Sequence, residues 1–337
     1  MKFEIYGNQP TRHGFAKGLV ELGKENEDVV VFGVDVTGSV KTSEFQKEFP
    51  DRFFSIGVAE QNATTIAVGF ALSGKVAVFS TYSAFAAFRN ADQLRVSVCY
   101  NDANVKIGGG HSGITVGPDG ATHQSLEEVS FLRALPNMTL VVPCDYEEAR
   151  KAIKLVGRIH GPAYVRFGRS DVPMFTKEDT PLEYGKAQVF REGNDVAIVA
   201  NGIMVWRAFE AAEKLYQNHG INARVINNAF VKPMDEETIT KAAMECGCIV
   251  TAEEHQVIGG LSGAVAEVVC KNYPVPIEYV GMKDTFGGSG EPEELMEHYG
   301  LNWKSIYASA LEAIDRKNNG FKKVRKLTEI PEYNEQI

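Results

Sequence analysis

The sequence predicts an α/β protein of two doubly wound domains, each on a mostly parallel sheet. Three observations lead there. Short apolar runs of strand length alternate with segments whose apolar residues recur at helical spacing, the pattern of β-α-β units. The alternation breaks at 168–185, where Pro173, Thr176, Lys177, Asp179, Thr180 and Pro181 bring turn residues and charges. A length of 337 residues with 44% hydrophobic content suits two cores of ordinary size. The expected organisation is a first domain at 1–172, a linker at 173–186, a second domain at 187–317 and a tail at 318–337.

In the first unit, residues 15–22 read as a helix, 29–34 as a strand, 64–72 as a helix and 76–80 as a strand. Residues 92–99 read as a helix, 105–107 as a strand, 125–132 as a helix, 139–142 as a strand, 146–157 as a helix and 163–167 as a strand. The second unit begins at 187–190. Strands at 196–200, 223–226, 249–253 and 277–280 then alternate with helices at 205–218, 235–246 and 260–271. Residues 318–337 have little periodicity, and the basic run 322–326 reads as a solvated tail.

Composition excludes some classes. A formal net charge of −9 argues against electrostatic binding to nucleic acid or anionic membrane. No run approaches the roughly 18 apolar residues of a membrane span, and the N-terminus lacks the apolar region of a signal peptide, so a cytoplasmic location is expected. Five cysteines, an odd number with no Cys-x-x-Cys pair, suggest neither a disulfide framework nor a zinc site; Cys246 and Cys248 read as buried thiols at a strand edge.

The chemistry centres on Glu60. It follows the apolar run 53–58 and precedes Ala63, Ile66, Ala67, Phe70 and Ala71 at helical spacing, which puts it at a strand-to-helix junction. Taken alone it reads as a first-turn carboxylate facing the helix dipole. Downstream, Tyr82, Phe85 and Phe88 repeat at three-residue spacing and would line one side of a helical turn. A glycine-punctuated loop then carries His111, Asp119 and His123, polar groups on a segment too irregular for core. Glutamate, aromatics and polar loop read in order as a pocket for a flat heteroaromatic ring. The run Gly108-Gly-Gly-His-Ser-Gly113 satisfies a dinucleotide-binding fingerprint, but loop-like residues 114–124 follow where that site needs a helix.

Four motifs in order resemble the transketolase family: Gly57-Val-Ala-Glu60-Gln61, the Tyr82/Phe85/Phe88 stripe, the loop 111–124, and the segment 132–143. The likeness is to that family's pyrimidine-binding and C-terminal domains and runs from about Gly14 to about Ala313. No Gly-Asp-Gly triplet, the family's diphosphate motif, occurs here. The resemblance therefore implies a split enzyme in which a partner subunit, the N-terminal half, supplies the ligands for Mg2+ and the diphosphate of thiamine diphosphate, as a heterotetramer.

The resemblance also implies roles. Glu60 would bond the ring nitrogen of the aminopyrimidine and share a proton with it, favouring the tautomer that removes the thiazolium C2 proton. Tyr82, Phe85 and Phe88 would hold the ring. His111 and His123 would line the substrate channel and assist proton transfers, and Asp119 would face substrate hydroxyls. Arg169 would hold the phosphate of a sugar phosphate. Ser39 would reach toward the same phosphate, and Asp35 would support the cofactor pocket. The second domain, with His255 and Gly260, would mostly serve subunit contacts.

Where the family usually has aspartate and glutamate, this chain has Ser112 and Pro118, which leaves donor and acceptor open; the anion could be a phosphate or a sulfonate. The expected activity is transfer of a two-carbon ketol unit between sugars. A half-chain relative of deoxyxylulose-phosphate synthase, which shares the Ala59-Glu60-Gln61 wording, and a non-catalytic scaffold subunit are the alternatives. The β subunit of 2-oxo-acid dehydrogenase complexes has the same architecture, but its characteristic wording is not found.

Overall fold

The computed structural model describes residues 4–321, 324 and 326–329. A seven-stranded sheet organises the first unit. Its strands are β2 (Val29–Gly33), β3 (Phe53–Ser55), β4 (Val76–Tyr82), β5 (Val105–Gly110), β6 (Thr139–Val141), β7 (Ala163–Arg166) and β12 (Phe230–Lys232). They run in the order β12-β6-β7-β5-β4-β2-β3, all pairs parallel except β12 with β6. Every residue of β2 and β5 is buried, because helices cover both faces; this is why these strands read as apolar runs rather than alternating ones.

One face is covered by α1 (Thr11–Glu25), α2 (Ser43–Glu48) and α5 (Tyr146–Gly157), through a core containing Phe15, Leu19, Phe45 and Ile153. Helices α1 and α5 touch because Gly14 and Gly18 present no side chain; a Cβ there would lie 1.9 Å from Tyr146 O and 2.2 Å from Arg150 O. The other face is covered by α3 (Glu60–Leu72), α4 (Glu128–Ala134) and two π-helical segments, Phe85–Arg89 and Gln93–Tyr100, over Phe32, Phe79 and Ile107. A short ribbon pairs β1 (Gly7–Pro10) with β8 (Asp171–Met174).

The second unit holds five strands in the order β14-β13-β10-β11-β9: β9 (Gln188–Arg191), β10 (Val196–Ala200), β11 (Ala223–Asn227), β13 (Ile249–Gln256) and β14 (Ile277–Met282). Only β9 is antiparallel. Helices α6 (Met204–His219) and α10 (Trp303–Asn319) cover one face, α7 (Glu236–Cys246) and α8 (Leu261–Asn272) the other, and α9 (Pro292–His298) packs beside the turn Ile114–Asp119 of the first unit. Among the described residues no helix is long and apolar enough to cross a membrane.

Several elements differ from the sequence reading. Tyr82 is the last residue of β4, not part of a helical turn, so the expected aromatic stripe is split between strand and π-helix. The helix expected at 125–132 starts at Glu128, since the chain before it is held as a loop. Strand β12 lies within the second unit in sequence but forms an edge of the first sheet, a placement that local patterning cannot encode. Elements α2, β1, β3 and β8 span three to six residues, too short for periodicity to register. Helices α9 and α10 lie beyond the last predicted strand, and α10 takes in residues 318 and 319 of the expected tail. The basic run 322–326 lies mostly outside the described residues.

Candidate active site

Glu60 is the first residue of α3, delivered by the turn through Gly57, whose φ of 80° suits glycine. Its side chain is buried, and Oε1 accepts a hydrogen bond from Arg89 Nη1 at 2.8 Å. Arg89 is half exposed and sits over the Phe85 ring, its Cζ 3.8 Å from the centroid. The carboxylate is therefore shielded on the protein side, while its one cationic partner faces outward.

Beyond Phe85 the two histidines converge on Tyr82. The His111 ring lies 4.2 Å from the Tyr82 ring, centroid to centroid. His123 meets Tyr82 and Phe85 edge-on at 5.9 and 5.3 Å. His111 follows the end of β5 in a left-handed conformation, φ 53°, uncommon for a side-chain-bearing residue. It is buried, and its Nδ1 has no hydrogen-bond partner. Burial, reinforced by the guanidiniums of Arg12 and Arg169, pushes its pKa down to about 4. At neutral pH His111 is thus an uncharged imidazole that can accept or donate one proton.

Arg169 pairs with Asp119 at 3.0 Å across the mouth of this cluster, both side chains partly exposed. Arg12, in the first turn of α1, donates to the Ser39 carbonyl at 3.3 Å, and its Nε is buried without a partner. Burial and then the nearby Arg169 lower the Arg12 pKa. Two guanidiniums thus stand close together beside a neutral histidine, an arrangement that fits an anionic group.

No motif in the sequence marks Arg12. The available signal was its position: α1 has no acidic residue in its first turn, where the helix dipole favours acids, yet carries Arg12 there. A cation at that point is unfavourable unless an anion or carbonyl oxygens balance it.

Tyr82, Phe85, His111 and His123 form one cluster, with Glu60 joined to it through Arg89; Asp119, Arg169 and Arg12 form its charged rim, and Ser39 adds only its backbone carbonyl. Phe88 stands apart, 43% exposed, with its ring 6.4 Å from that of Phe131. Asp35 is exposed just beyond β2, with φ 66°.

The glycines of the false fingerprint have packing reasons: a Cβ on Gly109 would lie 1.8 Å from the Tyr164 hydroxyl, and one on Gly110 2.7 Å from the Phe167 ring. The glycine turn before α8 is satisfied from within the chain, because Glu253 accepts from the N–H groups of Leu261 and Ser262 at 2.7 and 2.8 Å. Among the described residues no group of three or more His, Cys, Asp or Glu side chains could hold a metal ion.

This geometry can grip a flat ring between aromatic faces and a buried carboxylate, hold an anion at the rim and move protons through imidazoles. Comparison with known proteins gives two family matches: the transketolase pyrimidine-binding domain over residues 8–174 and the transketolase C-terminal domain over 185–306. The chain is 41% identical over 309 residues to a putative transketolase C-terminal section from Methanocaldococcus jannaschii, covering 91% of this chain and 96% of that protein. It is 39% identical to one of the subunits of apulose-4-phosphate transketolase from Phocaeicola vulgatus, covering 90% and 97%. It is 40% identical to a 6-deoxy-6-sulfo-D-fructose transketolase subunit of a Clostridium species, covering 89% and 93%. Among solved structures it resembles a split-gene transketolase described as an inactive β4 tetramer, with TM-score 0.85, 44% identity, and coverage of 92% of this chain and 100% of that one.

Proposed function

The chain belongs to the transketolase family, and from that premise we propose that it is the C-terminal-half subunit of a split, thiamine diphosphate-dependent transketolase acting on anionic sugars. The observation that carries the reading is the joined cluster of Glu60, Tyr82, Phe85, His111 and His123 with two arginines at its rim.

The residues fit the cofactor's pyrimidine: Glu60 is a shielded carboxyl that can share a proton with a ring nitrogen, and the aromatic faces of Tyr82 and Phe85 hold a planar ring without competing for its polar edges. Thiamine diphosphate supplies, when bound, the nucleophilic carbon that carries a two-carbon ketol unit from one sugar to another. The protein's part is positional and protonic. Arg89, held to Glu60 by one bond and half exposed, is the group a ring nitrogen would displace. His111, neutral at physiological pH, and His123 exchange protons with substrate hydroxyls as the carbon–carbon bond breaks and forms. Asp119 turns from Arg169 to a substrate hydroxyl, leaving Arg169 and Arg12 for the terminal anion. A phosphate and a sulfonate both suit two guanidiniums, and relatives named for each are among the matches.

The diphosphate and its Mg2+ are assigned to an N-terminal-half partner in a heterotetramer, in the cytoplasm. Support comes from the lack of a Gly-Asp-Gly triplet in these 337 residues and from exposed Val58, Leu72, Phe88, Val96 and Tyr100, on or beside α3 and the π-helical segments next to Glu60. The test is to purify the chain alone and with a chain carrying Gly-Asp-Gly, add thiamine diphosphate and Mg2+, and follow xylulose 5-phosphate. Ketol transfer by the pair and none by the single chain is the expected result. Pyruvate decarboxylation instead would point to a deoxyxylulose-phosphate-synthase-like enzyme, and inactivity with every donor to a scaffold.

A further inference from the structure

The loop 111–124 has two sides. One carries His111, Asp119 and His123 toward Tyr82 and Arg169. The other is gripped by the second unit. Glu254, buried on β13, accepts from Thr115 N–H at 2.8 Å, so its carboxylate caps the first of two 3-10 turns that span Ile114–Asp119 and meet at a kink at Gly117, φ 77°; Asp119 is the last residue. The approach depends on Gly113, where φ is 79° and a Cβ would lie 2.2 Å from the carboxylate.

Arg166 closes the joint: its Nη2 donates to the carbonyls of Ser125 at 3.2 Å and Glu254 at 2.9 Å. Gln124 Nε2 donates to Ile114 O at 3.3 Å and Gly288 O at 2.9 Å, and a Cβ on Gly120 would lie 2.5 Å from Ser289 Oγ. Ile114 and Leu126, at the two ends of the segment, are buried in the second unit's core beside Ile198 and Val250. Close packing and a bonded buried carboxylate leave the turn one position, since withdrawing the Glu254 carboxylate strands the Thr115 N–H.

Resting on the transketolase reading, we propose that Glu254 is a positioning residue for ketol transfer: from the second domain it fixes, through the Thr115 N–H, the turn that aims Asp119 and its flanking histidines at the substrate. Glu254 touches no substrate itself. The second domain is then the back wall of the substrate loop.

The test uses Glu254→Ala, Glu254→Gln and Gly113→Ala. In the isolated chain, amide exchange of residues 111–124 should quicken about tenfold or more in Glu254→Ala, with exchange of α6 and α8 unchanged. In the two-chain enzyme, kcat should fall roughly 10- to 100-fold, with cofactor affinity from a fluorescence titration unchanged. Glu254→Gln, which keeps an oxygen for the Thr115 N–H, should recover most of the kcat. Should Glu254→Ala fail to fold, Gly113→Ala, which pushes the carboxylate away, must reproduce the fast exchange and the loss of kcat. Unchanged loop exchange, an unchanged kcat, lost cofactor affinity, or a Gln variant as impaired as Ala overturns the proposal. If the wild-type pair transfers no ketol unit, the functional reading falls instead, and the exchange data still decide whether Glu254 holds the loop.

Discussion

Glu60 and Glu128 each open a helix of the first domain and each accept from an arginine, yet the two pairs serve opposite ends. Glu128 is fully buried, 2.6 Å from Arg166 Nε, and Arg166 Nη2 donates to the carbonyls of Ser125 and, in the second domain, Glu254. Burial would push the Glu128 carboxyl up, but Arg166 and His255 hold it below its usual range. Glu60 has Arg89 at 2.8 Å, but Arg89 is 49% exposed and otherwise rests on Phe85. An ion pair taken wholly out of water is held by its own hydrogen bonds, and removing one partner leaves the other stranded. A pair with one end in water can exchange partners cheaply. The first is fixed structure joining the domains; the second keeps its cation at the surface.

The largest test of this contrast is Glu60→Gln. In the two-chain enzyme it should lower turnover by about 10^3-fold or more while leaving the melting temperature of the chain little changed. Near-normal turnover would remove Glu60 from the chemistry.

Arg166→Ala reverses the pattern, destabilising the chain by about 3–5 kcal/mol in urea denaturation. A loss under about 1 kcal/mol would mean that the buried pair is no more structural than an exposed one.

Next come the rim cations. Arg169→Ala or Arg12→Ala should raise KM for an anionic ketose by roughly 10- to 100-fold, the weight of a charged hydrogen bond, with a smaller change in kcat. Equal effects on a neutral ketose would sink the anion assignment.

A weaker effect is the pH dependence of folding. Unfolded His111 takes up its proton near its ordinary 6.5 and folded His111 only near about 4, so between these values the unfolded chain binds more protons. Its contribution to stability falls as pH drops through that window and is constant above it. His111→Gln should flatten the dependence of the urea midpoint between pH 6.5 and 4; an unchanged slope would show the ring is not buried neutral.

The smallest effect is expected of Arg89→Ala on stability, below about 1 kcal/mol for a half-exposed partner. A loss as large as that of Arg166→Ala would erase the distinction between the two pairs.

Much of this was legible in the order of residues. The strand runs at 29–34 and 105–107 announced themselves because strands covered on both faces are apolar throughout. Glu60 was located by the helical spacing behind it, and the loop by its glycines and histidines. Arg12 was hidden, because its partners Ser39 and Arg169 lie 27 and 157 positions away in the chain. The grip of Glu254 on Thr115, across 139 positions, was equally out of reach. Phe88 shared a spacing with Tyr82 and Phe85 but not their place, since β4 ends at Tyr82 and the chain then changes from strand to π-helix.

By itself, then, the sequence determined the alternation of strands and helices, the two units and the family resemblance, because period and motif are local and survive without a fold. Tertiary structure alone decided which carboxylate is sealed with its arginine and which keeps an outward-facing one, and that a strand of the second unit completes the first sheet. Those outcomes depend on burial and on bonds between residues distant in the chain, and neither quantity exists until the chain has packed.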